Sequence, residues 1–91
     1  MIQEYPINLS IPPHLSRQRS YAPAQLRAWR KMIEDYINDR AKASPQEVIN
    51  YGDIEINLGI SKEVIKRFLM KAGGGSNAIT IYNSNFKSNN T

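Results

Sequence analysis

Three capped amphipathic segments, a β-rich run behind them and a proline-punctuated start predict an α+β fold. The amphipathic segments lie at residues 20–42, 44–58 and 61–72, and the β-rich run is Ala78-Ile79-Thr80-Ile81-Tyr82. Helices on either side of Leu58-Gly59-Ile60-Ser61, followed by a strand, make a helix-turn-helix with a short β-wing, a single winged-helix domain. Residues 1–19 read as an extended Pro-rich docking arm, 20–82 as the domain and 83–91 as a disordered Asn/Ser-rich tail.

In the arm, Ile7, Leu9 and Ile11 alternate with Asn8 and Ser10, the pattern of a short strand or a strand-like docked peptide. Pro12 and Pro13 then fix φ and remove two backbone donors, which bars this stretch from a helix or sheet interior. A stiff extended arm loses little entropy on docking and suits another protein's groove. The first helix begins near Ser20 and runs to about Lys42, with Pro23 tolerated in its first turn. Leu26, Trp29, Ile33, Tyr36 and Ile37 recur on one stripe. Arg30 with Glu34 and Lys31 with Asp35 form i,i+4 pairs, and Glu34, Asp35 and Asp39 are expected to face solvent. Trp29 reads as a core residue and also suits an interface anchor; an arm folding back beneath it would serve both roles.

Ser44-Pro45-Gln46-Glu47 carries a helix start signal, with Ser44 as cap, Pro45 at the first position and Glu47 reaching back. Gly52 interrupts that helix, Asp53 offers a fresh cap for Ile54–Leu58, and Gly59 ends it. Ile54-Glu55-Ile56-Asn57-Leu58 also alternates like a strand, and the helix is preferred because a second capped helix begins directly after Gly59. Ser61 caps that further helix, Ile60 can staple against Ile65, and Gly73 is placed as a left-handed stop. Gly73-Gly74-Gly75 lacks the lysine and the context of a phosphate loop and reads as a hinge or tight wing turn. The expected core is Leu26, Trp29, Ile33, Ile37, Val64, Ile65, Phe68, Leu69, Ile79 and Ile81.

At 91 residues and 41% apolar content the chain makes one small domain. It has no cysteine, hence no disulfide or thiolate site. No cofactor is expected, and no metal-ligand spacing is present. The opening residues lack the regions of a signal peptide and no apolar run spans a bilayer, which points to the cytoplasm. The only histidine, His14, sits among prolines with no nucleophile to activate, so the expectation is a non-catalytic protein. The net charge of +4 is uneven. Arg17, Arg19, Arg27, Arg30 and Lys31 form one basic group, and Lys62, Lys66, Arg67 and Lys71 another. Such patches attract phosphates or are simply solvated helix surface.

Pro12-Pro13, Ser16-Arg17-Gln18, Gln25-Leu26, Trp29, Ile33 and Tyr36 together resemble the first half of a known family. That family is the small winged-helix subunit of the ESCRT-II membrane-trafficking complex, the vacuolar protein-sorting-associated protein 25 family. The similarity continues more weakly from Ile54 to Leu69, and this chain resembles a short single-domain version. Family members carry two winged-helix domains, and His14 stands where they have an aromatic or large aliphatic residue. The strand that the family carries after its first helix looks trimmed here, and the wing shortened.

The resemblance implies a non-catalytic interaction subunit. Its Pro-Pro arm (Pro12, Pro13, His14, Leu15, with Arg17 and Gln18) would dock onto a larger winged-helix subunit. It further implies a bridge to ESCRT-III-like proteins and recruitment to membranes only through the complex. Read from the residues alone, a second class stays open: a winged-helix DNA-binding regulator whose recognition helix carries Lys62, Lys66, Arg67 and Lys71. Pro12-Pro13 favours the first, because groove docking explains it and DNA binding does not.

Overall fold

A computed structural model describes residues 2–69 and 77–83. The elements run β1 (Ile2–Tyr5), α1 (Pro13–Ser16), α2 (Pro23–Ala41), β2 (Gln46–Asn50), α3 (Tyr51–Leu58), α4 (Lys62–Leu69) and β3 (Ala78–Asn83). Among the described residues this is a small α+β domain of four helices and one three-stranded sheet.

Helix α2 follows its periodicity. Pro23 is its first residue, and the Lys42 N–H closes its end on the Asn38 carbonyl at 3.2 Å. Leu26, Ile33, Ile37 and Ala41 are buried along one stripe. Helix α3 stops at Gly59, whose φ of 70° is left-handed and whose N–H donates to the Glu55 carbonyl at 2.8 Å. The Ser61 hydroxyl then accepts the Glu63 N–H at 3.3 Å, a serine cap on α4. The Glu55 carboxylate accepts the Lys62 N–H at 3.1 Å and ties the two helices across the turn.

Strand β3 is the middle of the sheet. It pairs antiparallel with β2, Val48 opposite Thr80 and Ile49 opposite Ile79, and parallel with β1, Glu4 beside Tyr82. Ile49, Ile79, Ile81 and Asn83 are buried on the inner face, whereas Val48 and Tyr82 are exposed on the outer one. Every expected core residue is buried except Trp29, which is half-buried with its ring edge-on to Tyr21 at 5.4 Å. Ile7, Leu15, Ala41, Ile49, Tyr51, Ile54 and Ile60 complete the core.

Four expectations need correction. Residues 1–19 are not an extended arm. β1 is part of the sheet, Pro13 opens a helical turn, and Leu15 is 1% exposed inside the chain's own core. Burial of Ile7 and Leu15 removes apolar surface from water that a free arm would leave exposed. Residues 46–50 are a strand, not a helix start. The Ser44 hydroxyl does reach the Gln46 carbonyl (3.0 Å) and Glu47 (3.4 Å), but these contacts close a turn. The β-branched pair Val48-Ile49 then gains a full ladder with β3, which a short helix could not match. The strand after the first long helix is thus present rather than trimmed. Asn83 is a buried strand residue and not the start of a tail.

The expectations for Gly73 to Gly75, Lys71 and residues 84–91 lie outside the described residues. Among the described residues, β3 has β1 as the neighbour on the side away from β2.

Candidate docking surfaces

The most specific arrangement is one that periodicity did not reveal: three side chains along one flank of α2 hold the N-terminal segment by its backbone. The Asn38 amide is doubly engaged. Its oxygen accepts the Ile7 N–H at 2.8 Å and its NH2 donates to the Ile7 carbonyl at 3.2 Å. One turn earlier, the Glu34 carboxylate accepts the Leu9 N–H at 2.7 Å. Arg30 donates to the Leu9 carbonyl at 3.5 Å and pairs with Glu34 at 3.4 Å. Glu34 and Asn38 stand four apart on the helix, so they meet alternate residues of an extended chain, Leu9 and Ile7, and Arg30 shares Leu9 with Glu34. Glu34 is therefore not a solvent-facing acid; its side chain is 15% exposed. Only the expected i,i+4 pairing hinted at this flank.

The segment then turns at the corner formed by α1. Leu15 points into the core while Pro13, His14, Arg17 and Gln18 are exposed and Pro12 is half-buried. The Gln18 N–H donates to the Leu15 carbonyl at 3.2 Å and the Ser16 hydroxyl to the Pro13 carbonyl at 2.9 Å. Of the six residues expected to dock, the structure groups five at this corner and assigns Leu15 to internal packing.

On α4, Val64, Ile65, Phe68 and Leu69 are buried. Lys62 and Arg67 are exposed and Lys66 half-buried. Among the described residues none of these three cations forms an ion pair, whereas Arg30, Lys31, Arg40 and Lys42 all do. The Arg40 guanidinium, bound to Glu47 at 3.0 Å and to the Tyr36 hydroxyl at 3.2 Å, is held above its usual pKa by those two contacts.

Between α2 and the end of α3 lies an open groove of about 620 Å³ that includes Met32, Asp35, Tyr36, Asp39 and Leu58. Asn57 donates to the Tyr36 hydroxyl at 3.2 Å and links the two helices there.

No family model, curated protein or solved structure matches this chain.

Chemically, these surfaces offer docking. The corner presents rigid apolar proline with cationic and amide groups around it. Helix α4 presents unpaired cations able to meet anions. Among the described residues no cluster of three His, Cys, Asp or Glu side chains could hold a metal, and no helix is long and apolar enough to cross a membrane.

Proposed function

We propose that this chain is a non-catalytic interaction subunit of winged-helix-like architecture, acting in the cytoplasm within an ESCRT-II-like membrane-trafficking complex. In this reading it docks onto a larger winged-helix subunit and reaches membranes only through the assembly, with an ESCRT-III-like protein as a further partner. The observation that carries the reading is the exposed corner of Pro13, His14, Arg17 and Gln18, pinned to the core by Leu15. A preformed surface avoids the ordering cost that a free arm would meet on binding. The succession α2, β2, α3, α4, β3, with β2 antiparallel to β3, supports the winged-helix-like part. The test is affinity purification of the full chain from its native source, followed by binding measurements with the recovered partner. Replacing Pro13 and His14 together by Ala should weaken that binding about 10- to 100-fold, with the melting temperature unchanged. The reading fails if binding is indifferent to these changes but is abolished by Lys66→Glu with Arg67→Glu.

A second reading, DNA binding through α4, is favoured by one observation: among the described residues Lys62, Lys66 and Arg67 stand without ion-pair partners on the second helix of a helix-turn-helix. If the chain is an interaction subunit, these cations make phosphate contacts only, with a log–log salt slope of about −2.7 for three contacts and no sequence preference. Selection from a random duplex pool decides between the two. Recovery of a defined motif at physiological salt would replace the interaction subunit by a regulator.

A further inference from the structure

We propose that the free edge of β2 pairs antiparallel with the same edge of a second copy, giving a continuous six-stranded sheet across a two-fold axis at Val48. This goes beyond the docking reading above and does not depend on it.

The backbone hydrogen bonds fix which groups of β2 face away from β3. The Tyr51 N–H donates to the Asn77 carbonyl at 3.0 Å and the Asn83 N–H to the Pro45 carbonyl at 2.8 Å. In an antiparallel ladder such pairs recur every second residue, so Glu47 and Ile49 direct their backbone groups at β3. Gln46, Val48 and Asn50 direct theirs away from it, and no described strand lies on that side. Among the described residues Val48 has neither group engaged, whereas the Gln46 carbonyl accepts the Ser44 hydroxyl at 3.0 Å and the Asn50 carbonyl caps α3, so each of these two meets a partner through its second lone pair. The same three residues carry exposed side chains, with Val48 59% exposed.

Open edges normally carry a device against association: an outward charge, a bulge, a proline within the strand or a covering element. β1, the other edge, has exposed Glu4. β2 offers Gln, Val and Asn along its outer face, none of them charged, and Pro45 stands just outside the strand. Its one charge, Glu47, points to the inner face, where Arg40 pairs with it at 3.0 Å, so it sets no bare charge against an incoming strand.

Self-complementarity selects the occupant and the register. Centring the two-fold on Val48 places Gln46 opposite Asn50 of the other copy and Val48 opposite its own counterpart. All three outward residues then find backbone partners, amide side chains face amide side chains, and an apolar pair sits on the axis. On the inner face, Glu47 meets Ile49 of the other copy. Shifting the axis to Glu47 would set two carboxylates face to face, and shifting it to Ile49 would lose the Gln46 pairing. Isologous pairing of this kind closes after two copies and leaves no growing end at β2.

The interface is small, so association in the ~0.1 mM range is expected. The test combines sedimentation of the full chain over a concentration series with amide hydrogen exchange at each concentration. Glu47 and Ile49 amides should be protected throughout, whereas Gln46, Val48 and Asn50 should gain protection only as dimer forms. Val48→Lys puts two like charges on the axis and should weaken dimerisation at least ~10-fold. Its melting temperature at low concentration should stay that of the wild type, because Val48 is exposed. Glu4→Lys at the other edge should leave dimerisation intact. The proposal is overturned by a monomer at every concentration or by a dimer that tolerates Val48→Lys. Loss of the dimer in Glu4→Lys, or protection that rises equally at odd and even residues of β2, would overturn it as well.

Discussion

The N-terminal segment and the α3–α4 pair are similar in size and are built by opposite means. The helix pair is set by neighbours in sequence: Gly59 turns the chain, Ser61 caps, and Glu55 reaches seven residues on to Lys62. The segment from Ile2 to Gln18 is set by groups distant in sequence: Asn38 lies 31 residues from Ile7, Glu34 lies 25 from Leu9, and β1 pairs with β3, Ile2 beside Thr80. Local bonds can be read from a string of letters because both partners sit in one window. A side chain that holds a backbone 31 residues away leaves no such trace.

The sharpest way to break this contrast is Leu15→Ala. If the segment is an integral part of the core, urea unfolding should show a loss of about 2–5 kcal/mol. A merely attached arm would leave the unfolding midpoint where it was. Next in size is Asn38→Ala, which strips both backbone groups of Ile7 of their partner. A cost of about 1–3 kcal/mol is expected, together with faster amide exchange at Ile7 and Leu9 but not in α4. Equal acceleration everywhere would mean the segment has no local stability of its own.

Gly59→Ala probes the helix pair in the same assay. Nothing lies within 4 Å of the added methyl position, so the cost is that of holding alanine at a left-handed φ. That is about 1–2 kcal/mol, and a neutral result would show that the turn can relax. The mildest change concerns Tyr51, at the first turn of α3, whose phenol burial pushes above its usual pKa of 10.0. A raised folded-state value means this contribution is whole below pH 10 and declines as pH rises from there towards the folded value. Tyr51→Phe should flatten that alkaline decline in a stability–pH series, and an unchanged slope would assign it to other groups.

Much of the helical part was legible. Leu26, Ile33 and Ile37 mark the buried stripe of α2, and Gly59 and Ser61 the boundaries of α3 and α4, because helix periodicity and caps are local; the start of α2, expected near Ser20, falls at Pro23. β2 was not. Ser44-Pro45-Gln46-Glu47 spells a capping box, and Ser44 does contact Glu47, yet Arg40 draws that carboxylate to 3.0 Å and β3 supplies the ladder. A tertiary partner outweighed a valid local signal. At the candidate site Pro13 and His14 are exposed, whereas the alternation of Ile7, Leu9 and Ile11 could not say what the segment docks against. The answer, α2 of the same chain, needed Asn38, which no periodicity singles out.

The central position of β3 has a consequence for the order of events during synthesis. β1 is made first and β2 about midway, yet neither has a strand to pair with until residues 78–83 have left the ribosome. Helix α2 and the α3–α4 hairpin can form as they emerge, but the sheet has to wait for β3. Until then Ile49 lacks its partner strand, and the newborn chain carries that apolar side chain unpaired while α3, α4 and β3 are being made. The strand made last of the three therefore sets when the others become safe from misassociation.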